Sequence, residues 1–594
     1  METPGRDPEP LLAAASAWAE QDPDGATRDE TLRLVSRVRD GDAAALVELT
    51  AAFDGRLAFG TAGLRGPLGA GPLRMNRVVV SQTSAGFAAF LLDRAARGET
   101  AQPPSIVIGY DGRVNSDVFA RDAAEIMAGA GLRVFLFPTP GPTPLTAFAV
   151  RHLGVSAGVM VTASHNPPRD NGYKVYLGDA DAGSQIVPPV DDEIAGRIAE
   201  IAARPLGELP RSSEYTVLGA AVADAYVADT AAALLAGFPR DAAGTGAAGS
   251  GTDLRIVYTA MHGVGSELAR RVFSAAALPS VTVVPEQDRP DGAFPTVAFP
   301  NPEEPGALDL AFRVARAVDA ELIVAHDPDA DRLAIALPDA SASEGYRRLT
   351  GNELGLLLGW RAAERERVRA ELLGTEATGA LACTIVSSPA LRAVAAEYGL
   401  DYAETLSGFK WVSRVPGLIF GFEEALGYLT HPAIVRDKDG ISASADAIAM
   451  VRELAAAGRT VWDLLDEAGE RFGHFASTQI TLRLDSMAAA SALAARIREH
   501  PPREFGGVAV TTVQDLLVPG LAEVPADVLR FDLADGARVM IRPSGTEPKL
   551  KVYLDTFSAE GSAAERREAA QRALDALTAA LGDTLAALQE PESE

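Results

Sequence analysis

Residues 157–176 read A-G-V-M-V-T-A-S-H-N-P-P-R-D-N-G-Y-K-V-Y, and the change of character at Thr162 decides the fold class. The run A-G-V-M-V has the length and apolar content of a buried strand. A segment dense in Ser, His, Asn, Arg and Lys follows it directly. In α/β sheets ligands bind just beyond the carboxyl ends of strands, so Ser164, its neighbour His165 and Lys174 are candidate site residues. Asn166-Pro167 and Asn171-Gly172 are expected to turn the chain, which leaves Ser164 on a loop.

Working outward, S-I-V-I-G-Y (105–110) and R-V-F-L-F (133–137) read as strands, and 117–130 and 143–153 as helices. The pattern recurs with strands at 254–259, 281–284 and 321–325. It recurs again with helices around 351–372 and 388–398 and strands near 380–386 and 418–422. Such alternation implies three α/β units of similar size. The last segment differs. Strands at 475–484, 529–533, 537–542 and 549–554, a tight hairpin at Asp535-Gly536 and a closing helix at about 560–588 describe an α+β unit. Residues 1–50 read as short helices, and 241–251 as a flexible loop.

The chain has 594 residues, room for about four domains of ~150 residues each. Its net charge of −27 argues against nucleic-acid and anionic-membrane partners. An anionic substrate would therefore need a local basic island. The single cysteine, Cys383, excludes an internal disulfide and a thiolate metal cluster. With no signal-like N-terminus and no run of ~18 apolar residues, a cytoplasmic protein is expected.

Two motifs are decoys. Gly244, Gly246 and Gly249 spell G-x-G-x-x-G inside a loop with no strand before it. Gly154, Ser156 and Gly158 spell G-x-S-x-G with a helix before and a strand after, the reverse of a nucleophile elbow.

Three further clusters carry chemistry. H-D-P-D-A-D-R (326–332) follows an apolar strand. Its three aspartates would spread over roughly 13 Å if extended, so the chain must curl to bring them onto one cation. An all-oxygen set suits Mg²⁺ or another hard cation, and the spacing fails the EF-hand pattern, with Arg332 at position six and Pro338 at twelve. S-G-F-K-W (407–411), G-F-E-E-A-L-G-Y (421–428) and R-D-K-D-G (436–440) offer Glu423 and Glu424 to sugar hydroxyls and Lys410 and Lys438 to an anion. R-P-S-G-T-E-P-K (542–549) offers the Arg542 fork, the Ser544 and Thr546 hydroxyls and the backbone at Gly545 to a phosphate.

With these clusters in order, and with G-T-A-G-L-R-G (60–66) and L-T-G-N-E-L-G (349–355), the chain resembles the α-D-phosphohexomutase superfamily over roughly residues 45–560. It is most similar to the phosphoglucomutase-2/phosphopentomutase branch. The resemblance implies an α/β fold of four domains around a central cleft, three related domains with mixed sheets and a C-terminal α+β domain that can rotate. We expect an N-terminal extension at 1–45 and domains at 46–212, 213–338, 339–470 and 471–594.

The implied activity is phosphotransfer between hexose 1-phosphate and hexose 6-phosphate, for glucose or mannose, through a phosphoserine at Ser164 and a bisphosphorylated sugar. Asp327, Asp329, Asp331 and a phosphoserine oxygen would hold Mg²⁺, and sugar 1,6-bisphosphate would be the activator. Arg65 and Arg332 would neutralise the transferring group. Lys174 or His165 would be the general base, a lysine serving if burial and nearby cations lower its pKa. Glu423, Glu424, Gly408 and Lys410 would meet the sugar. Arg542, Ser544, Gly545, Thr546 and Lys438 would meet phosphate. Ala425 stands where many hexomutases carry a serine, which keeps (deoxy)ribose 1-phosphate and bisphosphate synthesis open as alternatives. A monomer or homodimer acting on a small phosphosugar is expected, with the last domain closing on it.

Overall fold

The apolar runs form strands buried along their whole length: Ser105–Tyr110, Ala157–Val161, Ile256–Thr259 and Leu322–His326. Continuous rather than alternating hydrophobicity is what a strand covered on both faces requires. The computed structural model describes residues 7–236, 254–521, 524–543 and 548–589. It divides into two units, Met1–Leu349 with Leu426–Arg452, and Thr350–Ala425 with Glu453–Glu594.

The first unit opens with helices Glu9–Gln21, Gly25–Arg39 and Ala43–Phe53, whose buried residues join one core with the first sheet. Its two sheets share a plan. In one, Ala157–Val161, Ser105–Tyr110, Arg133–Leu136 and Thr216–Val217 run parallel. Asp170–Leu177 and then Leu64–Pro67 extend the Ala157–Val161 side antiparallel. In the other, Leu322–His326, Ile256–Thr259 and Val281–Val283 run parallel, and Leu333–Pro338 and Tyr346–Arg348 extend the sheet antiparallel. In both, the loop from the outer parallel strand to its antiparallel return carries a candidate site, Ser164 in one and Asp327, Asp329 and Asp331 in the other.

In the second unit Ala380–Thr384 lies between parallel partners Asp401–Thr405 and Leu418–Glu423. The helix Gly351–Leu373 begins at a capping box made by Thr350 and Glu353. Its glycines permit close packing: a Cβ on Gly351 would meet the Glu424 carbonyl and one on Gly355 the Phe422 ring. The remainder is an antiparallel sheet in the order His474–Arg483, Lys549–Ser558, Arg538–Pro543, Leu529–Leu533, Val508–Asp515, Glu504–Phe505. Its core is shared with helices Met487–Glu499 and Ala563–Gln589. The hairpin at Asp535-Gly536 forms as expected, with Gly536 at φ +84°.

One turn expected from the sequence is absent. Asn171 and Gly172 lie inside the strand Asp170–Leu177, and the chain reverses earlier, between Ser164 and Arg169. Gly172 marks a close backbone approach instead, because a Cβ there would sit 2.6 Å from the Thr162 carbonyl oxygen and 2.8 Å from that of Leu64. The expected loop at 241–251, with its G-x-G-x-x-G, lies outside the described residues. No described helix is long and apolar enough to cross a membrane.

Gly172→Ala is expected to destabilise the protein by about 1–3 kcal/mol through forced displacement. Gly196→Ala, exposed within the helix Val190–Ala202 with nothing near its Cβ position, should instead gain about 0.4–1 kcal/mol. Urea unfolding of the two variants checks the opposite signs.

Candidate active site

Beyond Val161 the backbone turns sharply, and Ser164 sits in the left-handed region at φ +52°. A non-glycine residue is held there only when its surroundings over-determine it. The surroundings do so here. The Ser164 N–H donates to Thr162 Oγ1 at 2.8 Å, and Thr162 Oγ1 donates to Asp111 Oδ2 at 2.7 Å. Arg113, with its side chain fully buried, donates to the carbonyls of Ser164 (2.7 Å), Asn166 (2.6 Å), Pro167 (2.9 Å) and Asp170 (3.1 Å). Its guanidinium also lies 3.3 Å from Asp111 and 5.0 Å from the Phe294 ring centroid. The sequence reading missed Arg113. The available signal was its place in D-G-R directly after an apolar strand, the same kind of position as the aspartate cluster.

The aspartate loop curls as its spacing demanded. Ala330 takes φ +54°, and Arg332 N–H donates back to Asp327 Oδ1 at 3.0 Å. One oxygen from each of Asp327, Asp329 and Asp331 falls within 4.8 Å of the others, and all three residues are fully buried. Asp329 Oδ1 and Asp331 Oδ1 are buried without a hydrogen-bond partner among the described residues. Buried carboxylate oxygens of this kind are costly unless a cation satisfies them, so the donor set fits a metal ion. Ser164 Oγ donates to Asp327 Oδ2 at 2.9 Å, which brings the serine and the carboxylates together.

Cations surround the trio. Lys174 Nζ lies 3.1 Å from Asp329 Oδ2 and 2.7 Å from Asp331 Oδ2, and Lys438 Nζ lies 3.4 Å from Asp331 Oδ2. Arg332 Nε is 3.9 Å from Asp327 and 3.8 Å from Asp331. Burial alone would push Lys174 down, but Asp329 and Asp331 outweigh it and hold the pKa well above the ordinary lysine value. This reverses the lowered Lys174 pKa that a base role requires: the neighbours closest to its ammonium are anions. Burial opposes ionisation of Asp329 and Asp331 as well. Lys174 overcomes it, aided by the Thr143 hydroxyl on Asp329 and by Lys438 and Arg332 on Asp331, so both carboxyls fall below their usual range. Asp327 is raised well above its usual range by burial and by the other two aspartates.

His165 Nδ1 lies 3.3 Å from Ser164 Oγ. Burial, then Arg332 and Arg65, hold His165 well below its ordinary pKa, so the ring is neutral at pH 7. Arg65 reaches the same loop by donating to Asn166 Oδ1 at 3.1 Å.

Lys438, assigned from the sequence to a substrate phosphate, stands beside the carboxylate trio. Its neighbours explain the placement. Asp437 accepts from Tyr176 and from Gln185, each at 2.8 Å, while Asp439 accepts from Tyr226 at 2.9 Å and caps the helix that follows. His326, also missed, bridges Tyr258 at 2.9 Å and the Gly440 carbonyl at 3.0 Å, tying the aspartate strand to this segment.

In the second unit Glu423 ends the strand Leu418–Glu423, half-buried. Glu424 has partners within the protein: its carboxylate accepts from Ser387 at 2.9 Å and Thr384 at 3.2 Å, so it braces the loop. Gly408, at φ +109°, precedes the short helix Phe409–Val412, and Lys410 lies over the Trp411 ring. Arg542 is the penultimate residue of the strand Arg538–Pro543, half-buried. Ser544, Gly545 and Thr546 lie outside the described residues.

Comparison with known proteins gives four consecutive family matches. These are the phosphoglucomutase/phosphomannomutase alpha/beta/alpha domains I, II and III at residues 56–205, 242–340 and 350–472, and the C-terminal domain at 508–572. A Haemophilus influenzae protein named "Probable phosphomannomutase" is 49% identical over 492 residues, 83% of this chain and 95% of that one. The phosphopentomutase of Mus musculus is 34% identical over 563 residues, 87% of this chain and 86% of that one. A solved phosphoglucomutase/phosphomannomutase family protein from Burkholderia thailandensis shares the fold with a TM-score of 0.62 at 20% identity, over 88% of this chain and 97% of that one.

If the carboxylate trio holds a divalent cation, millimolar MgCl₂ should raise the melting temperature of the wild-type protein, and Asp331→Asn should remove that increase. Scanning fluorimetry with and without chelator reads the difference. Ligand at 100 times its dissociation constant is worth about 2.7 kcal/mol.

Proposed function

The chain belongs to the phosphoglucomutase/phosphomannomutase family and is a phosphosugar mutase, and from that premise we propose that it interconverts hexose 1-phosphate and hexose 6-phosphate through a phosphoserine at Ser164. The observation that carries this reading is the Ser164 hydroxyl 2.9 Å from Asp327, beside three buried carboxylates and two lysines. We carry the domain division read from the sequence into this proposal: 46–212 with the serine loop, 213–338 with the aspartate loop, 339–470 with the sugar loop and 471–594 with the phosphate loop, after an extension at 1–45.

In the forward half-reaction the Ser164 Oγ–P bond breaks and a bond forms from phosphorus to a hydroxyl of the sugar monophosphate, whose proton passes to a base. The bisphosphate so formed returns its other phosphoryl group to Ser164 and leaves as the isomer. Sugar 1,6-bisphosphate can therefore prime a serine that has lost its phosphate. Asp327, Asp329 and Asp331, with an oxygen at Ser164, would hold Mg²⁺, which supplies Lewis-acid neutralisation of phosphoryl oxygens when bound.

The chain's own groups do the rest. Arg65 and Arg332 meet the charge of the transferring group, since phosphoryl transfer depends on positioning and charge stabilisation. His165, neutral and 3.3 Å from Ser164 Oγ, is placed to take the serine proton when the phosphoryl group returns to Ser164. Lys174, held as an ammonium group by Asp329 and Asp331, and Lys438 beside Asp331 supply positive charge, and Lys174 can return a proton to a leaving oxygen. Glu423 accepts from sugar hydroxyls, with Gly408 and Lys410 beside the sugar, and Arg542 with residues 544–546 takes the phosphate that is not reacting.

Ala425 and the likeness to a phosphopentomutase favour a second reading, in which (deoxy)ribose 1-phosphate is the better substrate. Phosphorus NMR with glucose, mannose and ribose 1-phosphates in turn separates the two. The hexose reading expects kcat/KM for a hexose phosphate at least about tenfold above that for ribose 1-phosphate, a margin of about 1.4 kcal/mol. Ser164→Ala should lose turnover by about 10⁴-fold or more in the presence of bisphosphate, and near wild-type turnover would refute the phosphoserine.

A further inference from the structure

The strand that carries Arg542 begins at Arg538, and alternation along a strand sets Arg538, Met540 and Arg542 on one face. The opposite residues, Val539 and Ile541, enter the core of the C-terminal sheet, while Met540 packs with Ile385 and Val386 of the preceding α/β layer. Arg538 is 4% exposed. It donates to Asp555 Oδ2 at 2.7 Å and to the Ser387 carbonyl, and it lies 3.4 Å from Glu404 Oε1. Arg530 and Arg392 hold the same Glu404 at 2.9 and 2.8 Å.

Ser387 continues the chain of contacts. Its hydroxyl donates to Glu424 Oε2 and accepts the Glu424 N–H, each at 2.9 Å. One buried guanidinium thus joins the base of the Arg542 strand to the residue that braces the Glu423 loop. The ion pair with Asp555 lies within the C-terminal sheet, between neighbouring strands. The bonds to Ser387 and Glu404 reach across to the other layer and serve a different end.

We infer that Arg538 is a positioning residue that sets the spacing between Arg542 and the Glu423–Glu424 loop, and with it the length of phosphosugar that both can grip at once. The inference rests on the proposed substrate roles of Arg542 and Glu423. It assigns Arg538 no contact with substrate. Its loss should therefore weaken substrate capture and narrow the discrimination between sugars of different length, without altering what happens at Ser164.

The test compares Arg538→Gln, Arg538→Lys and Ser387→Ala with wild type in steady-state kinetics on glucose 1-phosphate and ribose 1-phosphate. Release of labelled phosphate from phosphorylated Ser164 without sugar is measured in parallel. Arg538→Gln is expected to raise KM for glucose 1-phosphate by about tenfold or more and to shrink the ratio of the two kcat/KM values. Phosphoserine hydrolysis should stay within about twofold of wild type. Arg538→Lys, which keeps the charge and loses the fork, should fall between the two. A lower melting temperature with unchanged KM and unchanged sugar ratio overturns the inference, as does a parallel change in KM and hydrolysis. Ser387→Ala removes a single hydroxyl and decides the matter if Arg538→Gln fails to fold: a raised KM supports the inference and an unchanged KM overturns it. Arg542→Ala and Glu423→Gln are measured alongside. Unchanged KM in both refutes the substrate roles, and the inference with them. Raised KM in both with wild-type KM in the Arg538 variants refutes the inference alone.

Discussion

Three carboxylates buried together are the constraint around which the first unit is built. Oxygens of Asp327, Asp329 and Asp331 lie within 4.8 Å of one another with no solvent to screen them. At an effective dielectric constant of 20, each ionised pair at that separation repels by about 3 kcal/mol. Lys174, Lys438 and Arg332 offset that repulsion, and each arrives from a different element: a strand, a braced loop and the aspartate loop itself. The braces around them follow from the same need. Asp437 and Asp439 are pinned by tyrosines so that Lys438 points inward, and His326 ties the aspartate strand to the Gly440 carbonyl. A Cβ on Gly440 would stand 2.4 Å from the Arg332 carbonyl oxygen, so the segment closes on the loop only with glycine there.

The chain also answers the question raised by its net charge of −27. A strongly acidic protein repels a doubly charged phosphate at long range, and attraction must come from groups close at hand. The serine loop supplies them. Arg113 is spent on holding backbone carbonyls, which leaves Ser164 aimed at the trio at a strained φ. Arg65, Arg332, Lys174 and Lys438 form the basic island around it. The same loop position, after an outer parallel strand and before its antiparallel return, carries the serine in one sheet and the aspartates in the other. Two copies of one plan thus provide the two halves of the chemistry.

Much of this was legible in the sequence, for identifiable reasons. Buried parallel strands announce themselves as unbroken apolar runs, and every such run that was read became a strand. The aspartate loop was legible because three carboxylates after an apolar strand have few stable fates without a cation. What escaped was long-range. Arg113 lies 51 residues from the Ser164 carbonyl it holds, and its place just after an apolar strand says nothing of that distant partner. The place of Lys438 beside Asp331 was not legible because the two are distant in sequence. Asn171-Gly172 misled because a glycine serves a close backbone approach as well as a turn, and only the register with Leu64–Pro67 tells them apart. Glu424 seemed equivalent to Glu423 until Ser387 and Thr384 accounted for its carboxylate.

The central claim is that the buried trio and Ser164 together form one divalent-cation site. Anomalous diffraction from crystals soaked in Mn²⁺, an oxygen-seeking stand-in for Mg²⁺, tests it most directly. The account predicts a strong peak bounded by Asp327, Asp329 and Asp331 and adjoining Ser164. A fully occupied peak elsewhere, with the three carboxylates still held by Ser164, Thr143, Arg332, Lys174 and Lys438 alone, would contradict it.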